Sequence, residues 1–294
     1  MEQQTVLVTG SSSGLGNVLT RTLLAKDYTV FATMRDLDGK NSQAAAELRK
    51  IAAREKGNLH LLEMDVVNED SVQAAVEQAL KVAGRIDVVI NNAGIGGGGY
   101  SEAFSVSQFQ LTFDVNVFGV QRVMRAVLPS MRLRRSGLII NISSAMGRIV
   151  IPFAGAYTAS KYALEGLTES YRYELANTGV EVVLVEPGGF MSDYWTKLMT
   201  PDDAARTASY GESAQLPEQM WNGVIGMLNS EQAPDSQVFA EAIVGIIDTS
   251  AEKRPLRVVV DPLTGGGGPS AINTVTDGVQ KQVLESFGLG SLLG

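Results

Sequence analysis

The sequence predicts an α/β protein in which one doubly wound parallel sheet of seven strands carries helices on both faces. Short runs rich in β-branched residues alternate with longer stretches of helical periodicity along most of the chain. Several of the short runs are continuously apolar, which is typical of parallel strands buried on both faces. Ligands of such sheets bind beyond the carboxyl ends of the strands, so motifs that directly follow strands are the candidates for function.

Seven segments are predicted as strands, namely residues 5–9, 28–33, 59–64, 86–91, 137–143, 180–186 and 255–261. The stretches between them include helical patterns such as "EDSVQAAVEQALKVA", and repeated alternation implies right-handed crossovers. These elements form one predicted domain over residues 1–261, which includes an apolar segment at about 190–237 where the alternation stops. That segment is interpreted as a substrate lid, with an ordinary core for extra helices as the alternative. Residues 262–294 form a C-terminal tail, in which a glycine run predicts a flexible linker and "DGVQKQVLESFG" a short helix.

The composition excludes several classes of site and partner. The 294 residues include no cysteine and one histidine, His60, which lies in an apparent strand and is predicted to be a packed residue. Disulfides, thiolate zinc sites and thiol nucleophiles are therefore excluded, and no metal site is expected. A formal net charge of −8 argues against nucleic acid or anionic membrane as the main partner. No uncharged apolar run reaches the ~18 residues of a membrane span and no signal peptide is recognised, so we expect a soluble cytoplasmic protein.

The first chemical motif is the glycine-rich turn "TGSSSGLG", which lies between the first strand and a helix. Its glycines, Gly10, Gly14 and Gly16, have the spacing G-x-x-x-G-x-G. Glycines permit a tight turn and let backbone N–H groups approach a pyrophosphate at the helix N-terminus. No Gly-Lys-Ser/Thr follows, so the turn predicts nucleotide binding but not a phosphate-loop NTPase.

Two further motifs end strands in the middle of the chain, and each has two interpretations. "NNAG" (91–94) is either a polar turn or a site where Asn91 ties neighbouring strands together and Ala93 and Gly94 leave room for a cofactor. "NISS" (141–144) ends in a hydroxyl that could bond a substrate oxygen, although capping a loop is the commoner role of serine.

The stretch "AYTASKYALEGL" places Tyr157 and Lys161 four residues apart, on one face of a predicted helix. A free tyrosine has a pKa near ~10, and an ammonium group one turn away lowers that pKa because it favours the phenolate. General acid/base catalysis is most effective when the pKa lies near the working pH. The pattern Y-x-x-x-K is common, so this interpretation depends on the accompanying motifs.

Taken in order, "TGSSSGLG", "NNAG", Asn116 in "DVNVFG", Ser144, "YTASK" and "EPGG" closely resemble the short-chain dehydrogenase/reductase family. The resemblance is to the compact single-domain branch with a Rossmann fold, and it covers roughly residues 5–192 and the last strand. It implies hydride transfer between a nicotinamide cofactor and a carbonyl or alcohol carbon.

The resemblance also implies the catalytic roles. Tyr157 would be the acid/base, and Lys161 would lower its pKa and bond the nicotinamide ribose. Ser144, thirteen residues before Tyr157, would polarise the substrate oxygen with Ser143 in support. Asn116 would hold the water of a proton relay from Lys161.

Contacts to the cofactor follow from the same resemblance. The glycine turn would face the phosphates and the adenosine ribose through Gly10, Ser13, Gly14, Leu15 and Gly16. The remaining contacts would be Asp65 and Val66 at the adenine, Asn92, Ala93 and Gly94 along the cofactor, and Pro187, Gly188 and Ser192 at the nicotinamide.

The choice of nicotinamide cofactor depends on the end of the second strand. Asp36 lies 20 residues after Gly16, where an acid would indicate NAD(H). The strand is expected to end near Thr33, however, and a threonine there neither binds a 2′-hydroxyl as a carboxylate would nor repels a 2′-phosphate. Arg35 and the Ser13 hydroxyl could hold that phosphate, which favours NADP(H) over NAD(H).

The substrate is expected to be a lipophilic carbonyl or secondary alcohol, so the leading hypothesis is an NADP(H)-dependent carbonyl reductase. "TVFATMRDL" and the extended C-terminal half resemble family members that act on steroids, retinoids and other lipophilic alcohols or ketones. The alternatives are an NAD-dependent alcohol or hydroxy-acid dehydrogenase, a ketoacyl reductase and, from another class, a non-catalytic nucleotide sensor. A homodimer or homotetramer is expected by analogy. Aromatic and apolar side chains of the predicted lid are Phe190, Tyr194, Trp195, Leu198, Met199 and Trp221.

Overall fold

The predicted strands pair into one parallel sheet in the computed structural model, which describes residues 3–293. The strands are β1 (Thr5–Thr9), β2 (Thr29–Met34), β3 (Asn58–Glu63), β4 (Val88–Asn91), β5 (Gly137–Ile142), β6 (Val180–Pro187) and β7 (Arg257–Val260). Their order is β3-β2-β1-β4-β5-β6-β7, and each neighbouring pair is parallel. The direction of winding reverses between β1 and β4, so the predicted doubly wound sheet is confirmed and its ligand crevice lies at this switch point.

Helices cover both faces of the sheet. They are α1 (Gly14–Ala25), α2 (Ser42–Glu55), α3 (Glu69–Ala83), α4 (Val106–Phe113), α5 (Gly119–Arg134), α6 (Gly155–Glu174), α7 (Ala204–Ser209), α8 (Leu216–Leu228), α9 (Ser236–Asp248) and α10 (Gly267–Ser286). One π-helical turn, Asp114–Phe118, joins α4 to α5. Among the described residues, none of the helices is long and apolar enough to cross a membrane.

The apolar strands bury side chains on both faces because successive residues of a strand point in opposite directions. In β1, Val6 and Val8 belong to the layer under α1, α2 and α9, whereas Leu7 belongs to the layer under α3, α5 and α6. His60 on β3 stacks on Phe31 of β2 with ring centroids 4.7 Å apart, as predicted for a packed residue.

The C-terminal tail differs from the sequence prediction. The glycine run is not a flexible linker but a turn in which Gly265 and Gly266 adopt φ values of 74° and 65°, and α10 begins directly afterwards at Gly267. The helix is therefore longer than the predicted one. It is held to the sheet by Asn273, whose Nδ2 donates to both carboxylate oxygens of Glu186 on β6, at 3.1 and 2.9 Å.

Candidate active site

The predicted acid/base pair lies in the first two turns of α6, beside the carboxyl end of β5. The buried Lys161 Nζ donates to the carbonyl of Ile142, the last residue of β5, at 2.8 Å. It also lies 5.6 Å from the centroid of the Tyr157 ring. Tyr157 is half-buried. The helix and the strand end thus bring the phenol and the ammonium together.

Ser144 fits the capping interpretation made from the sequence. It follows β5 and caps the short helix Ala145–Gly147, since its Oγ accepts a hydrogen bond from the Met146 N–H at 3.1 Å. Ser143, one residue earlier, is buried, and its Oγ has no hydrogen-bond partner among the described residues.

Burial dominates the electrostatics of this pair. It raises the pKa of Tyr157, and hydrogen bonds with Ser144 and Tyr194 oppose that rise. Burial also lowers the pKa of Lys161 to about 8, against the opposing charge of Glu165. The expected lowering of the Tyr157 pKa by Lys161 is therefore not the dominant effect, because loss of water outweighs a cation that is itself bonded to a carbonyl.

Asn116 lies in the π-helical turn, where its side chain fastens the loop after β4. Its Oδ1 accepts from the Ile95 N–H at 2.9 Å, while its Nδ2 donates to the Ile95 carbonyl and to Ser160 Oγ, each at 2.9 Å. A Cβ on Gly94 would lie 3.4 Å from Asn116 Oδ1 and 3.9 Å from Lys161 Nζ. Gly94 thus leaves these two polar groups facing one another across a space that a methyl group would fill.

The glycine turn brings its backbone against the start of α1 and the loop after β4. Gly10 has a φ of 70°, and a Cβ on it would lie 2.9 Å from the Cα of Ala93. A Cβ on Gly16 would collide with the Gly10 carbonyl and the Asn92 amide. Ser13, the N-cap residue of α1, forms no side-chain capping bond, so the N–H groups of the first helical turn lack the usual cap. This uncapped N-terminus is a suitable cradle for a pyrophosphate.

Several predicted cofactor contacts serve the scaffold as well. Asn92 donates through Nδ2 to the Thr9 and Gly10 carbonyls at 3.0 and 3.2 Å, which ties the two strand ends at the switch point together. The Ala93 N–H donates to Thr9 Oγ1 at 3.0 Å. Asn91 donates to Asn141 Oδ1 at 2.8 Å and joins β4 to β5, as the second interpretation of this motif predicted.

Two predicted contacts direct their side chains into the apolar layers. Leu15 packs against the layer under α1, and Val66 is buried in the opposite layer. Neither side chain is available as a polar contact.

The loop after β2 presents Arg35 and turns Asp36 away. The Arg35 side chain is 60% exposed, and its Nη1 lies 4.0 Å from Asp65 Oδ2, so these two predicted residues lie together. Asp36 has a φ of 49° and accepts the Lys40 N–H through Oδ2 at 2.7 Å. Its carboxylate is used within its own loop. Glu63 at the end of β3, not anticipated from the sequence, fixes this loop by accepting the Asp36 and Leu37 N–H groups at 2.6 and 2.8 Å.

The end of β6 lies on the other side of the crevice. Pro187 is the last residue of β6, and a Cβ on Gly188 would collide with the Asp261 carboxyl group. Ser192 lies opposite the glycine turn, since a Cβ on Gly14 would lie 3.5 Å from the Ser192 Cβ. Ser192, predicted for the nicotinamide end, therefore faces the glycine turn predicted for the phosphates.

The segment after β6 closes over the catalytic residues. The ring centroid of Tyr194 lies 6.0 Å from that of Tyr157. Trp195 and Trp221 lie 6.0 Å apart, and Met199 pairs with Gly97 in the loop after β4. Phe190 is different: it is 3% exposed and packs against Phe239 of α9, so it belongs to the apolar core and not to the predicted lid.

Lys197 is a site residue that the sequence did not reveal. Its Nζ donates to Ser13 Oγ at 3.2 Å and lies 3.4 Å from Asp193 Oδ2, which places a lid cation on the glycine turn. The two partners are separated by 184 residues in the chain, so no local pattern could have indicated this contact.

Known proteins of one family resemble the chain. Residues 4–203 match the family model of the short chain dehydrogenases. The 3-ketodihydrosphingosine reductase of Bacteroides thetaiotaomicron is 37% identical over 213 residues, which cover 72% of this chain and 74% of that protein. Retinol dehydrogenase 8 of Homo sapiens is 35% identical over 264 residues, covering 86% and 80% of the two chains. The 17-beta-hydroxysteroid dehydrogenase type 1 of Mus musculus is 36% identical over 248 residues, covering 83% and 71%.

Solved structures agree with this family. A short-chain dehydrogenase from Streptomyces avermitilis has a TM-score of 0.76 at 29% identity and covers 98% of this chain and 99% of its own. A metagenomic short-chain oxidoreductase in complex with NADP has a TM-score of 0.68 at 27% identity and covers 88% of this chain and 97% of its own. The fold alone is shared with a Burkholderia phymatum enzyme in complex with NAD, which has a TM-score of 0.75 at 23% identity and covers 96% of this chain and 95% of its own. The protein is therefore an oxidoreductase of the short-chain dehydrogenase/reductase family.

Proposed function

We propose that this protein is an NADP(H)-dependent reductase of lipophilic ketones or aldehydes, which also catalyses the reverse oxidation of secondary alcohols. The observation that carries the proposal is the Tyr157 phenol with Lys161 Nζ 5.6 Å from its ring centroid, beside the carboxyl end of β5 where Ser144 follows the strand. A nucleotide sensor would need the glycine turn but not this arrangement.

The chain's own residues would supply the proton and the orientation. Bound in the crevice, the nicotinamide cofactor would supply or accept the hydride. Tyr157 would donate its proton to the substrate oxygen, while the Ser144 hydroxyl would polarise the same oxygen. Lys161 would bond the nicotinamide ribose and favour the phenolate left after proton transfer. The closed lid would exclude water from these groups.

A lipophilic substrate is supported by the lid and by the relatives. Tyr194, Trp195 and Trp221 supply aromatic surface beside the catalytic tyrosine. The most similar curated proteins include enzymes named for retinol, hydroxysteroids and ketodihydrosphingosine, all of which are largely apolar molecules. We therefore assign residues 190–237, apart from Phe190, to a lid that binds an apolar substrate.

The preference for NADP(H) is supported by two cations near the predicted adenosine ribose. Arg35 is exposed beside Asp65, and Lys197 is bonded to Ser13. Asp36 is the acid that would indicate NAD(H), but its carboxylate accepts the backbone N–H of Lys40 within its own loop. Thr33, at the position where an acid would also indicate NAD(H), is buried. Family members bind either cofactor, so this preference depends on these side chains.

Catalysis is tested by Tyr157→Phe, assayed with a panel of apolar ketones and aldehydes at the NADPH absorbance. We expect kcat to fall by about 100-fold or more while the NADPH dissociation constant stays within about threefold. Tyr162→Phe is the matched control, because this hydroxyl on the same helix donates to the Arg148 carbonyl outside the site. Substantial turnover by Tyr157→Phe would exclude the proposed mechanism.

The cofactor preference is tested by Arg35→Ala and Lys197→Met, assayed with both cofactors. Each is expected to raise the KM for NADPH by about tenfold and to leave the KM for NADH unchanged or lower. Arg54→Ala, which removes an exposed cation on α2, is the control. An unchanged ratio of the two kcat/KM values would refute the assignment.

We also propose that the enzyme is a cytoplasmic homodimer or homotetramer. Apolar side chains are exposed on the helices that would form the contact, with Leu111 on α4 47% exposed, Phe118 before α5 51% and Tyr162 on α6 42%. Sedimentation of the wild type and of Phe118→Asp tests this assembly, and an unchanged monomeric mass for both would exclude it.

A further inference from the structure

A cluster of buried charges lies behind the catalytic helix, around Arg257 of β7. The Arg257 side chain is 3% exposed and contacts the carboxylates of Glu165, Glu169, Glu186 and Asp277, which we call the Arg257 cluster. Its Nε lies 3.0 Å from Glu165 Oε2 and its Nη2 lies 2.5 Å from Glu169 Oε2. Arg257 thus gathers carboxyl groups from α6, β6 and α10 around one buried guanidinium.

Lys161 is a buried cation one helical turn before Glu165 on α6. Both side chains are buried, at 5% and 2% exposure, and Glu165 is the charged group that acts on Lys161. The Glu165 carboxylate is anchored by Arg257 through Oε2, while its Oε1 has no hydrogen-bond partner among the described residues. Arg257 thus fixes one oxygen of the Glu165 carboxylate, and the other oxygen forms no hydrogen bond with the described residues.

The tail helix α10 completes the cluster. Asp277 contacts Arg257 Nη1 at 3.0 Å, and Asn273 bonds both oxygens of Glu186. Through these contacts α10 holds Arg257 and Glu186 in place. Arg257 in turn holds the Glu165 side chain of α6.

We propose that Glu165, fixed by Arg257 and the tail helix, is a positioning residue that keeps the active-site Lys161 protonated. The inference rests on the proposed function, because it assigns Lys161 to the reaction centre.

The effect of burial on Lys161 explains why this lysine needs a nearby carboxylate. Burial already lowers the pKa of Lys161 to about 8, and the Glu165 charge is what opposes a further fall. A lysine that loses its proton near pH 7 would lose the positive charge that favours the phenolate of Tyr157. The other charged groups that face Glu165 are Glu169 on its own helix, Arg257 on β7, Glu186 on β6 and Asp277 on α10, with Arg148 acting on Glu186.

The test is Glu165→Gln, with Glu169→Gln as the matched control. Both changes remove one carboxylate from Arg257, but Glu169 lies a turn further from Lys161. We expect the alkaline limb of the NADPH affinity, measured by fluorescence titration without substrate, to move to lower pH by about 1 unit in Glu165→Gln. The alkaline limb of kcat/KM should move equally, and neither should move in Glu169→Gln.

A graded variant keeps the proposal testable if Glu165→Gln does not fold. Glu165→Asp keeps the charge but withdraws it by one methylene, so a shift in the same direction of about 0.3 unit is expected. Unmoved limbs in a folded Glu165 variant, or equal shifts in Glu169→Gln, would overturn the proposal. The proposed function fails by a different result. A wild-type protein that neither binds NADPH nor reduces any carbonyl would disprove the proposed function, and with it the role of Glu165.

Discussion

Glu186 gives a stability prediction whose sign and size both follow from the structure. This carboxyl group on β6 is 0% exposed, and burial together with the neighbouring Glu165 raises its pKa from 4.5 to about 7. We predict that Glu186→Gln, which places a neutral amide in the same volume, removes a pH-dependent cost of folding. The amide could also donate to Asn273 Oδ1, which is buried without a partner among the described residues.

The sign follows from proton binding. Between pH 4.5 and 7 the unfolded chain has released this proton and the folded chain has retained it, so the free energy of unfolding falls as pH rises. A rise of about 2.5 pKa units corresponds to about 3 kcal/mol of stability, which is fully present below pH 4.5 and is lost as the pH rises through about 7. For a chain of 294 residues, this is a difference of about 5 °C in Tm.

The measurement is thermal or urea unfolding of wild type and variant between pH 4.5 and 8. The variant-minus-wild-type difference should be near zero at the acid end and rise to about 3 kcal/mol at pH 8. Glu181→Gln on the same strand measures the effect of an amide in place of a carboxylate that is paired with Arg254. A difference curve that is flat across this range, or that falls with pH, would refute the reasoning.

Three further predictions concern the site and its helix. Tyr194→Phe removes a hydroxyl that lowers the pKa of the catalytic tyrosine, so the half-maximal pH of alcohol oxidation should rise by about half a unit, and an unchanged pH profile would contradict this. Gly94→Ala places a methyl group between Asn116 Oδ1 and Lys161 Nζ, and kcat should fall by about tenfold with an unchanged circular dichroism spectrum; unchanged turnover would show that nothing passes between them. Gly166→Ala adds a Cβ to α6 with nothing within 4 Å, so unfolding should cost about 1 kcal/mol more at unchanged kcat, and a loss of stability would contradict this.

The strands and the placement of the candidate catalytic residues were predictable because their signals are local. Short β-rich runs marked the seven strands, several of them continuously apolar, and the order of the motifs placed Ser144, Tyr157 and Lys161 at strand and helix ends that the fold brings together. Element ends were less predictable. β4 begins at Val88 and not at residue 86.

What escaped prediction depends on contacts between distant parts of the chain. Lys197 reaches Ser13 across the crevice, and Arg257 gathers carboxylates from three other elements. Phe190 has the composition of a lid residue, yet its neighbour in space is Phe239 of the core. Burial itself is equally non-local, which is why the direction of the Tyr157 pKa shift differed from the expectation that Lys161 would dominate.

The two pKa shifts of the catalytic pair have a consequence for the direction of the reaction. With its pKa raised by burial, Tyr157 holds its proton at neutral pH, and Lys161, with a pKa of about 8, still carries its charge. This protonation state is ready to donate a proton to a carbonyl oxygen, whereas alcohol oxidation must first remove the proton from a desolvated phenol. The Arg257 cluster and the lid both affect the protonation of this pair. Glu165 of the cluster favours the charged form of Lys161, and the lid contributes to the burial of Tyr157. Reduction should therefore have its optimum at a lower pH than oxidation, with the separation set by burial of the tyrosine hydroxyl.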